Sequence, residues 1–436
     1  MERYESYKDS GVYYLPLLPS KWEIKKAKFL FREEKRLPRI NDEIITCFRD
    51  GQVTLRKNRR TEGFTNSLKE IGYKGIRKGD LVIHNMDAFA GAIGVSDSDG
   101  KGTPVYSICT TLSDNISPYY YCYFLRYLAK CDFIKSLSKG IRERSTDFRF
   151  NDFKELILPV PSIYEQNKIV EYIDSVTSKI DEAISQQQKM IDLLNERKQI
   201  IIQNAVTKGL DPNAKMKDSG VEWIGEIPEN WRLNRFKNLF KTRSGITFTK
   251  KQIVEYGESV ISYGQIHSKD NYGSRVNPEL IRFIPKKLTK NKGKAKVVEG
   301  DFLFADTSED FEGCGNNVYI DCKTPIYAGY HTILAKKNNN EVGQYLAYLF
   351  ASRNWRGQVR SLVNGVKVYS ITQTILKSVY VVLPPIEEQL SIAEYLNVKV
   401  GNIDKKIKSI ENYISLLQER KQIIINDVVT GKVKVI

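Results

Sequence analysis

Residues 193–202 read LLNERKQIII, and residues 416–425 read LLQERKQIII. The two stretches differ only at Asn195 and Gln418, and they are offset by 223 residues. A repeat at this distance indicates two copies of a whole domain followed by a helix, rather than a solenoid of small units. The chain is therefore predicted to be duplicated head to tail.

A long polar segment with a narrow apolar stripe surrounds each copy. The segments follow proline-rich stretches at 158–161 and 383–385, and Gln166 and Gln389 keep the offset of 223. Proline suits the first turn of a helix, and a glycine such as Gly209 or Gly431 suits its end. The apolar residues recur at steps of three, four and seven, as in a coiled coil. They are Ile169, Ile173, Val176, Ile180, Ile184, Ile191, Leu194 and Ile201 in the first segment, and Ile392, Leu396, Ile403, Ile407, Ile410, Ile414, Leu417 and Ile424 in the second.

This spacing predicts two helices of about 44 residues, each roughly 65 Å long. A helix so polar cannot bury its stripe alone. The two equivalent stripes are therefore predicted to pack on each other as an antiparallel coiled coil, with a globular domain at each end. The alternative is that both are ordinary helices inside a larger core.

A second repeat fixes the domain order. The pentapeptide KDSGV at 8–12 recurs at 217–221, and Trp22 recurs as Trp231, both offset by 209 residues. Unless this match is a coincidence, the start of the chain repeats the linker that follows the first helix. The predicted order is an N-terminal segment (1–19), a globular domain (20–157), a conserved region with a long helix (158–215), a second globular domain (216–381) and a second conserved region with a long helix (382–436).

The globular domains are predicted to be α+β. Short β-type runs alternate with glycine-rich turns, and aromatic segments at 118–138 and 342–362 have helical character. The sequence KGDL at 78–81 is mirrored by EGDF at 299–302. Elsewhere the two domains are far less alike than the two helices. This pattern suits a protein that reads two different targets with one frame, although it also arises from divergence without functional meaning.

The composition favours a polyanionic partner. The 436 residues include 68 Lys plus Arg against 52 Asp plus Glu, a net charge of +16, which favours nucleic acid over a membrane. An apolar run long enough to span a bilayer and a signal peptide are both missing, so we expect a cytoplasmic protein. The six cysteines form no CxxC pair and there are three histidines, so we expect no metal site.

Common catalytic motifs are missing from the sequence. It contains no GxGxxG, GxxxxGK[ST], HExxH, GxSxG or [DN]PP[YF] pattern. Asp301, Asp306 and Glu309 lack the spacing of a nuclease site. Together with the basic charge, these absences favour a binding module. The rival hypotheses are a self-contained DNA methylase or nuclease, and a coiled-coil scaffold that binds no DNA.

These features together resemble the specificity subunit of a type I restriction-modification enzyme. The resemblance covers essentially the whole chain: two variable domains, each followed by a proline-rich segment, an EQ pair and a helix ending in LLxERKQIII. Residues 83–96, IHNMDAFAGAIGVS, are similar to a segment common in the target-recognition domains of this family. The second domain has a different amino-acid sequence at 304–308, as expected if it reads another DNA sequence.

The resemblance implies that each target-recognition domain reads one half of a split double-stranded DNA site. It also implies that the paired helices set the unread spacer and dock two adenine-N6 methyltransferase subunits, and that restriction and translocation subunits can join. This chain would then be non-catalytic and bind no cofactor, while the partner subunits would bring S-adenosylmethionine, ATP and Mg²⁺. The helix residues expected to act in spacing or docking are Ile173, Ile180, Leu194, Arg197, Ile201, Leu396, Ile403, Leu417, Arg420 and Ile424.

Candidate DNA contacts are basic, amide and hydroxyl side chains. Lys and Arg neutralise phosphates, and Arg, Lys, Asn, Gln, Ser and Thr read base edges in the grooves. Each such run is also compatible with an ordinary surface loop, and His84 with a buried core histidine. In the first domain the candidates are Arg56, Lys57, Arg59, Arg60, His84, Asn85, Arg142 and Arg144. In the second they are Thr247, Lys250, Lys251, Gln265, His267, Lys269, Lys367 and Tyr369.

Overall fold

The computed structural model describes residues 2–59, 71–137, 147–222, 224–338, 340–365 and 367–435. The chain divides into two compact units: unit 1 is Met1–Gln187 with Asn412–Ile436, and unit 2 is Gln188–Glu411. Each unit combines one globular domain, here domain 1 or domain 2, with segments of both long helices. Across the described ranges, no helix has both the length and the apolar character needed to cross a bilayer.

The N-terminal segment and domain 1 are built mainly from short antiparallel strands. The strands are β1 (Tyr7–Val12), β2 (Leu15–Pro19), β3 (Glu23–Lys26), β4 (Phe31–Glu33), β5 (Ile45–Cys47), β6 (Val53–Leu55), β7 (Lys74–Ile76), β8 (Leu81–His84), β9 (Ile93–Val95), β10 (Gly100–Gly102), β11 (Tyr106–Thr111) and β12 (Ile157–Val160). The helices are α1 (Pro118–Lys130), α2 (Phe133–Ser136) and α3 (Phe150–Phe153), and the long helix α4 (Ile163–Lys208) follows.

A four-stranded antiparallel sheet in the order β4-β11-β8-β9 forms the centre of domain 1. The middle strand β8 is buried on both faces, with Leu81, Val82 and Ile83 each at 0% exposure. Leu81 and Ile83 pack with the aromatic side of α1, while Val82 packs in a smaller core with Ile45 and Ile108. Such a run of β-branched and aliphatic residues is typical of a strand that is covered on both sides.

Domain 2 has more small strands around the same kind of sheet. The strands are β13 (Met216–Asp218), β14 (Glu226–Pro228), β15 (Arg232–Arg235), β16 (Phe240–Ser244), β17 (Glu258–Ile261), β18 (Arg282–Ile284), β19 (Lys296–Val297), β20 (Phe302–Ala305), β21 (Thr307–Ser308), β22 (Asn317–Tyr319), β23 (Ile326–Ala328), β24 (Thr332–Lys337), β25 (Tyr369–Ser370) and β26 (Tyr380–Leu383). The helices are α5 (Phe236–Leu239), α6 (Tyr263–Ile266), α7 (Gly343–Ala351), α8 (Arg353–Leu362) and α9 (Gln373–Ser378), and the long helix α10 (Ile386–Val429) follows.

The central sheet of domain 2 repeats that of domain 1. Its order is β16-β24-β20-β22, so β20 takes the place of β8 and β24 that of β11. The mirrored KGDL and EGDF stretches form the same turn, in which Asp80 accepts from the Arg77 N–H at 2.7 Å and Asp301 from the Val298 N–H at 3.1 Å. A second sheet, β18-β17-β23-β19, is added in domain 2. The central sheets of the two domains therefore have one topology despite the diverged sequences.

In unit 1, the beginning of α4 and the end of α10 run side by side in opposite directions. The Nζ atom of Lys421 lies 2.7 Å from Oδ1 of Asp181. Further along, Ile169 and Ile173 share a core with Val428 and Val429. Lower numbers on α4 thus face higher numbers on α10.

In unit 2, the end of α4 and the beginning of α10 pack in the same way. The Nζ atom of Lys198 lies 2.7 Å from Oδ1 of Asp404. Val206 shares a core with Ile392 and Leu396. The antiparallel contact is therefore present within each unit, while a coiled coil continuous along both helices stays a prediction.

The glutamine of each EQ pair is buried and joins a long helix to its own domain. Gln166 accepts a hydrogen bond from the Ser117 N–H at 2.8 Å and donates to the Pro161 carbonyl at 2.9 Å. Gln389 accepts from the Val342 N–H at 2.9 Å and donates to the Pro384 carbonyl at 2.9 Å. Ser117 and Val342 immediately precede α1 and α7, so each glutamine satisfies a backbone donor that the start of a helix leaves open.

The helix ends follow the glycine prediction. Gly209 and Gly431 have φ values of +76° and +72°, the left-handed conformation in which glycine commonly ends a helix. Each packs against the repeated tryptophan, because a Cβ at Gly209 would lie 3.2 Å from Trp231 and one at Gly431 would lie 2.9 Å from Trp22. Both tryptophans are 1% exposed.

The predicted mixed α/β class and the two long helices are confirmed. The helices span 46 and 44 residues. Every residue predicted for the apolar stripes is buried or half-buried, as the pattern required. The aromatic segments form α1 with α2 and α7 with α8, each broken by a short non-helical step. The domain boundaries at 20–157 and 216–381 stay predictions.

Candidate nucleic-acid interface

An open cleft of about 690 Å³ lies beside the end of β8 and the start of β11 in domain 1. Three arginines line it: Arg49, Arg56 and Arg59. Asp50 and Asp87 line the same cleft, and His84 and Tyr106 lie at the strand ends with ring centroids 5.1 Å apart. The cleft is therefore basic, with aromatic and acidic groups that fix the arginine side chains.

The basic run predicted at 56–60 forms one wall of this cleft. Arg56–Asn58 is a short 3-10 turn, and Arg56 Nε donates to Thr46 Oγ1 at 3.2 Å. The guanidinium of Arg59 lies 4.3 Å from the centroid of the Phe48 ring and pairs with Asp50 at 2.6 Å. Partial burial raises the pKa of Asp50, but the Arg59 hydrogen bond holds that pKa below its ordinary value. Lys57 is exposed and pairs with Glu43.

His84 and Asn85 end the central strand with different surroundings. His84 is half-buried, its Nδ1 accepts from the Asp87 N–H at 3.2 Å, and burial lowers the pKa of its imidazole. Asn85 is 9% exposed, and its Oδ1 accepts from Ser107 Oγ at 2.8 Å. Asn85 therefore stabilises the strand end, while His84 borders the cleft. Arg60, Arg142 and Arg144 lie outside the described residues.

In domain 2, the run at 247–251 forms an exposed basic turn. Thr249 caps the 3-10 turn Lys250–Gln252, and Gln252 Oε1 accepts from the Thr249 N–H at 2.8 Å. Thr247, Lys250 and Lys251 are all exposed. Their side chains are therefore accessible to a ligand from solvent.

The run at 265–269 is engaged within the domain. Gln265 caps α6, since its Oε1 accepts from the Ser262 N–H at 3.0 Å. The His267 ring bonds through both nitrogens, with Nε2 2.8 Å from the Thr307 carbonyl oxygen and Nδ1 3.0 Å from Nδ2 of Asn316. Lys269 is exposed. The first two residues therefore shape the surface, and Lys269 is the one available to a ligand.

Aromatic rings connect two of the three predicted runs of domain 2, and strand pairing connects the third. Phe248 packs on Tyr330 at 5.0 Å, Tyr330 on Tyr263 at 5.5 Å, and Tyr263 on His267 at 6.1 Å. Tyr369 joins the group through the β21–β25 ladder, where it faces Ser308. The neighbouring Lys367 is exposed.

Sequence reasoning missed one exposed residue in each domain that pairs with an acidic side chain. Arg49 in domain 1 and His331 in domain 2 stand alone in sequence, outside any basic run. Arg49 Nη2 lies 2.9 Å from Asp87 Oδ1, and His331 Nδ1 lies 3.1 Å from Asp306 Oδ1. Their only sequence signal is a position just before a turn or strand, which many unrelated residues share.

The helix residues divide into packing and exposed positions. Ile173, Ile180, Leu396, Ile403 and Leu417 are buried. Leu194, Ile201 and Ile424 are half-buried, whereas Arg197 and Arg420 are exposed. The exposed arginines share one helix face with exposed apolar side chains at equivalent positions: Leu193 (65%) with Ile200 (50%), and Leu416 (61%) with Ile423 (50%).

Comparison with known proteins identifies a family. A family model described as "Type I restriction modification DNA specificity domain" matches residues 54–191 and 228–414. These ranges include most of both domains and much of both long helices.

Curated relatives and a solved structure agree with that match. The chain is 24% identical over 447 residues to the putative type I restriction enzyme MjaX specificity subunit of Methanocaldococcus jannaschii, covering 96% of this chain and 95% of that protein. It is 26% identical over 317 residues to the type I restriction enzyme MjaVIII specificity subunit of the same organism, covering 70% and 68%. It also resembles a chain in a structure described as the structural basis of complex assembly and conformational transition of the type I R-M system, with a TM-score of 0.67, 15% identity, and coverage of 95% and 99%. At that identity the structural likeness shows the fold.

Proposed function

We propose, from the premise that this chain belongs to the type I restriction modification DNA specificity domain family, that domain 1 and domain 2 each read one half of a bipartite double-stranded DNA site. The observation that carries this proposal is the repeated sheet order with different side chains at the same strand ends. Two domains that share a sheet but carry different side chains at its strand ends are suited to recognise two different DNA sequences.

Most of the DNA affinity is proposed to come from phosphate contacts. The chain carries a net charge of +16, and the exposed lysines Lys250 and Lys251 closely follow Phe248, whose ring packs on Tyr330. Each phosphate neutralised by a Lys or Arg releases counterions, so the affinity falls steeply as salt rises. Base edges in the grooves then provide the sequence preference.

The long helices are proposed to dock two methyltransferase subunits. Leu193, Arg197 and Ile200 lie at steps of four and three and are all exposed, as are Leu416, Arg420 and Ile423. Exposed apolar side chains around an arginine are typical of protein interfaces. Because the two faces have the same sequence, two copies of one partner fit them.

Chemistry is proposed to reside in the partner subunits. This chain then provides recognition and assembly, without methylation or cleavage of its own. The methyltransferase subunits bring S-adenosylmethionine, and restriction and translocation subunits add the use of ATP and Mg²⁺. Purified alone, the chain should transfer no methyl groups to DNA, and clear transfer above a no-protein control contradicts this part.

A domain exchange tests the proposed reading of half-sites. The chain is co-expressed with its methyltransferase partner, and the methylated motif is read by sequencing. Replacing residues 20–157 with the equivalent domain of a relative should change one half of the motif and leave the other half and the spacer intact. The matched control exchanges residues 216–381. If both halves change together in either exchange, one domain does not read one half.

A further inference from the structure

The two domains present the same backbone edge beyond the central strand. The Asn85 N–H donates to the Val105 carbonyl at 2.9 Å, and the Asp306 N–H donates to the His331 carbonyl at 3.2 Å. These positions directly follow β8 and β20 and directly precede β11 and β24. The edge is therefore conserved in geometry and differs in side chains.

A second pair of contacts extends this equivalence. The Phe148 N–H donates to the Asn85 carbonyl at 3.0 Å, and the Ile371 N–H donates to the Asp306 carbonyl at 2.8 Å. In both domains a returning segment thus covers the same point of the sheet.

An acidic residue positions a hydrogen-bonding side chain at each edge. In domain 2, Asp306 Oδ1 accepts from Thr307 Oγ1 at 2.7 Å and from His331 Nδ1 at 3.1 Å. In domain 1, Asp87 Oδ1 accepts from Arg49 Nη2 at 2.9 Å. The positioned side chains are 58% and 67% exposed for His331 and Arg49. Each is thus held at its inner side and open at its outer side.

The backbone of His331 adds an independent sign of a functional position. Its φ is +54°, a conformation that few residues other than glycine adopt. Strain of this kind persists where the surrounding structure enforces it, and it is concentrated at functional sites. Neighbouring rings hold the imidazole, with Tyr263 at 5.5 Å and Tyr330 at 6.0 Å.

The carboxylate sets which ring nitrogen of His331 is available. Asp306 only accepts when ionised, so Nδ1 carries the proton that it donates. In the neutral ring Nε2 is then an acceptor, and within the described part of the chain it has no hydrogen bond. An acceptor here suits the exocyclic amino group of adenine or cytosine in the major groove. The Arg49 fork suits the O6 and N7 acceptors of guanine.

We infer that His331 in domain 2 and Arg49 in domain 1 are specificity-determining residues that contact base edges, with Asp306 and Asp87 as their positioning residues. This inference rests on the proposed function, because it assigns residues to the reading of the two half-sites. Both contacts lie beyond the end of the central strand but at different positions: His331 directly precedes β24, whereas Arg49 lies between β5 and β6 and pairs with Asp87, which follows β8.

The first test removes the imidazole while easing the backbone. His331→Gly suits a φ of +54°, so the fold should not be weakened, and thermal unfolding checks this. The full chain is co-expressed with its methyltransferase partner and the methylated motif is sequenced. One base position in one half-site should accept further bases, while the other half-site and the spacer stay unchanged. Asp306→Ala should relax the same position, which a purely structural role would not do.

Two further variants complete the design. Arg49→Ala should relax one position in the other half-site. Lys336→Ala is the matched control, since Lys336 is exposed near the opposite end of β24. It should leave every base position of the motif unchanged.

If a variant complex no longer methylates DNA, its base preference is measured by DNA binding instead. The variant complex is titrated with duplexes that differ by one base pair in the affected half-site. The wild-type complex should discriminate at one pair by about 5- to 150-fold, the range of a good base contact. Loss of that discrimination supports the inference, and a uniform drop in affinity across all duplexes overturns it. Unchanged methylated motifs at full activity in His331→Gly and Arg49→Ala also overturn the inference. Absence of a bipartite motif for the wild-type complex contradicts the proposed function itself.

Discussion

The Nζ atom of Lys198 lies 2.7 Å from Oδ1 of Asp404, and Lys421 with Asp181 repeats this ion pair with the two helices exchanged. The positions keep the offset of 223 residues, so one pair of positions is used twice. Asp404→Lys should destabilise unit 2 by about 0.5–1 kcal/mol, because the partners are partly exposed and a like charge replaces an attraction. Adding Lys198→Asp should restore most of the loss. Urea unfolding at low salt measures both, and a double variant no more stable than Asp404→Lys contradicts the prediction.

The buried glutamines should matter more than other glutamines of the same helices. Gln166→Ala leaves the Ser117 N–H without its acceptor, and Gln389→Ala does the same to Val342. An unsatisfied buried donor costs about 1–3 kcal/mol of stability. The matched control is Gln188→Ala on the exposed side of α4, which should change stability by less than about 0.5 kcal/mol. Equal effects at all three positions would mean that these hydrogen bonds do not stabilise the domains.

Alanine at three glycines should have effects of opposite sign. Gly209→Ala and Gly431→Ala each add about 1–2 kcal/mol of backbone strain, since both residues are left-handed. Gly431→Ala should cost more, because its Cβ would lie 2.6 Å from Pro19 and 2.9 Å from Trp22. Gly401→Ala, inside α10 with open space around it, should stabilise by about 0.5–1 kcal/mol. Thermal or urea unfolding of the three variants checks the order.

Acid should weaken unit 1 partly through His84. Burial lowers the pKa of this imidazole, and Arg49 lowers it further while Asp87 opposes the effect. The unfolded chain therefore binds a proton more readily, so the contribution of His84 is complete above pH 6.5 and is lost as pH falls through the lowered pKa. One proton limits the slope to about 1.4 kcal/mol per pH unit. His84→Asn should flatten the fall in unfolding free energy between pH 7 and 5, and an unchanged slope would exclude His84 as its source.

The proposed role of the helices in spacing can be tested by an insertion. Four residues added after Gln186 lengthen α4 by about 6 Å and rotate it about 40° beyond a full turn. With about 3.4 Å per base pair, the spacer of the methylated motif should grow by one or two base pairs between unchanged half-sites. Four alanine substitutions at 185–188 keep the length and should leave the spacer unchanged. The same spacer at full activity after the insertion rules out α4 as the ruler.

Regular features of this protein were predictable from sequence because they depend on local periodicity. The apolar steps of α4 and α10, the terminal glycines and the glutamines at 166 and 389 follow rules of helix packing and capping. The repeat also predicts that Asp80 and Asp301 are equivalent, because the same turn requires the same carboxylate.

The surface proposed to read bases was not predictable in the same way. Arg49 and Asp87 are separated by 38 positions, and Asp306 and His331 by 25, and their pairing depends on which strands lie next to each other. The sequence instead predicted Gln265 and His267 as DNA contacts, and the side chains of both form hydrogen bonds within the domain. Charge density along a sequence indicates a kind of partner, whereas the individual contacts come from tertiary structure.

Unit 1 combines residues from two distant parts of the chain, and this has a consequence for its folding during translation. Tyr120 donates to the Val429 carbonyl at 2.8 Å, and Ile169 and Ile173 share a core with Val428 and Val429. These partners are translated about 260–310 residues apart, which at 5–20 residues per second is a delay of roughly 13–60 s. During that interval the nascent first domain carries an uncovered apolar face that its own helix cannot shield. Biosynthesis thus exposes domain 1 to chaperones and proteases for longer than domain 2, whose unit is complete once residue 411 has emerged.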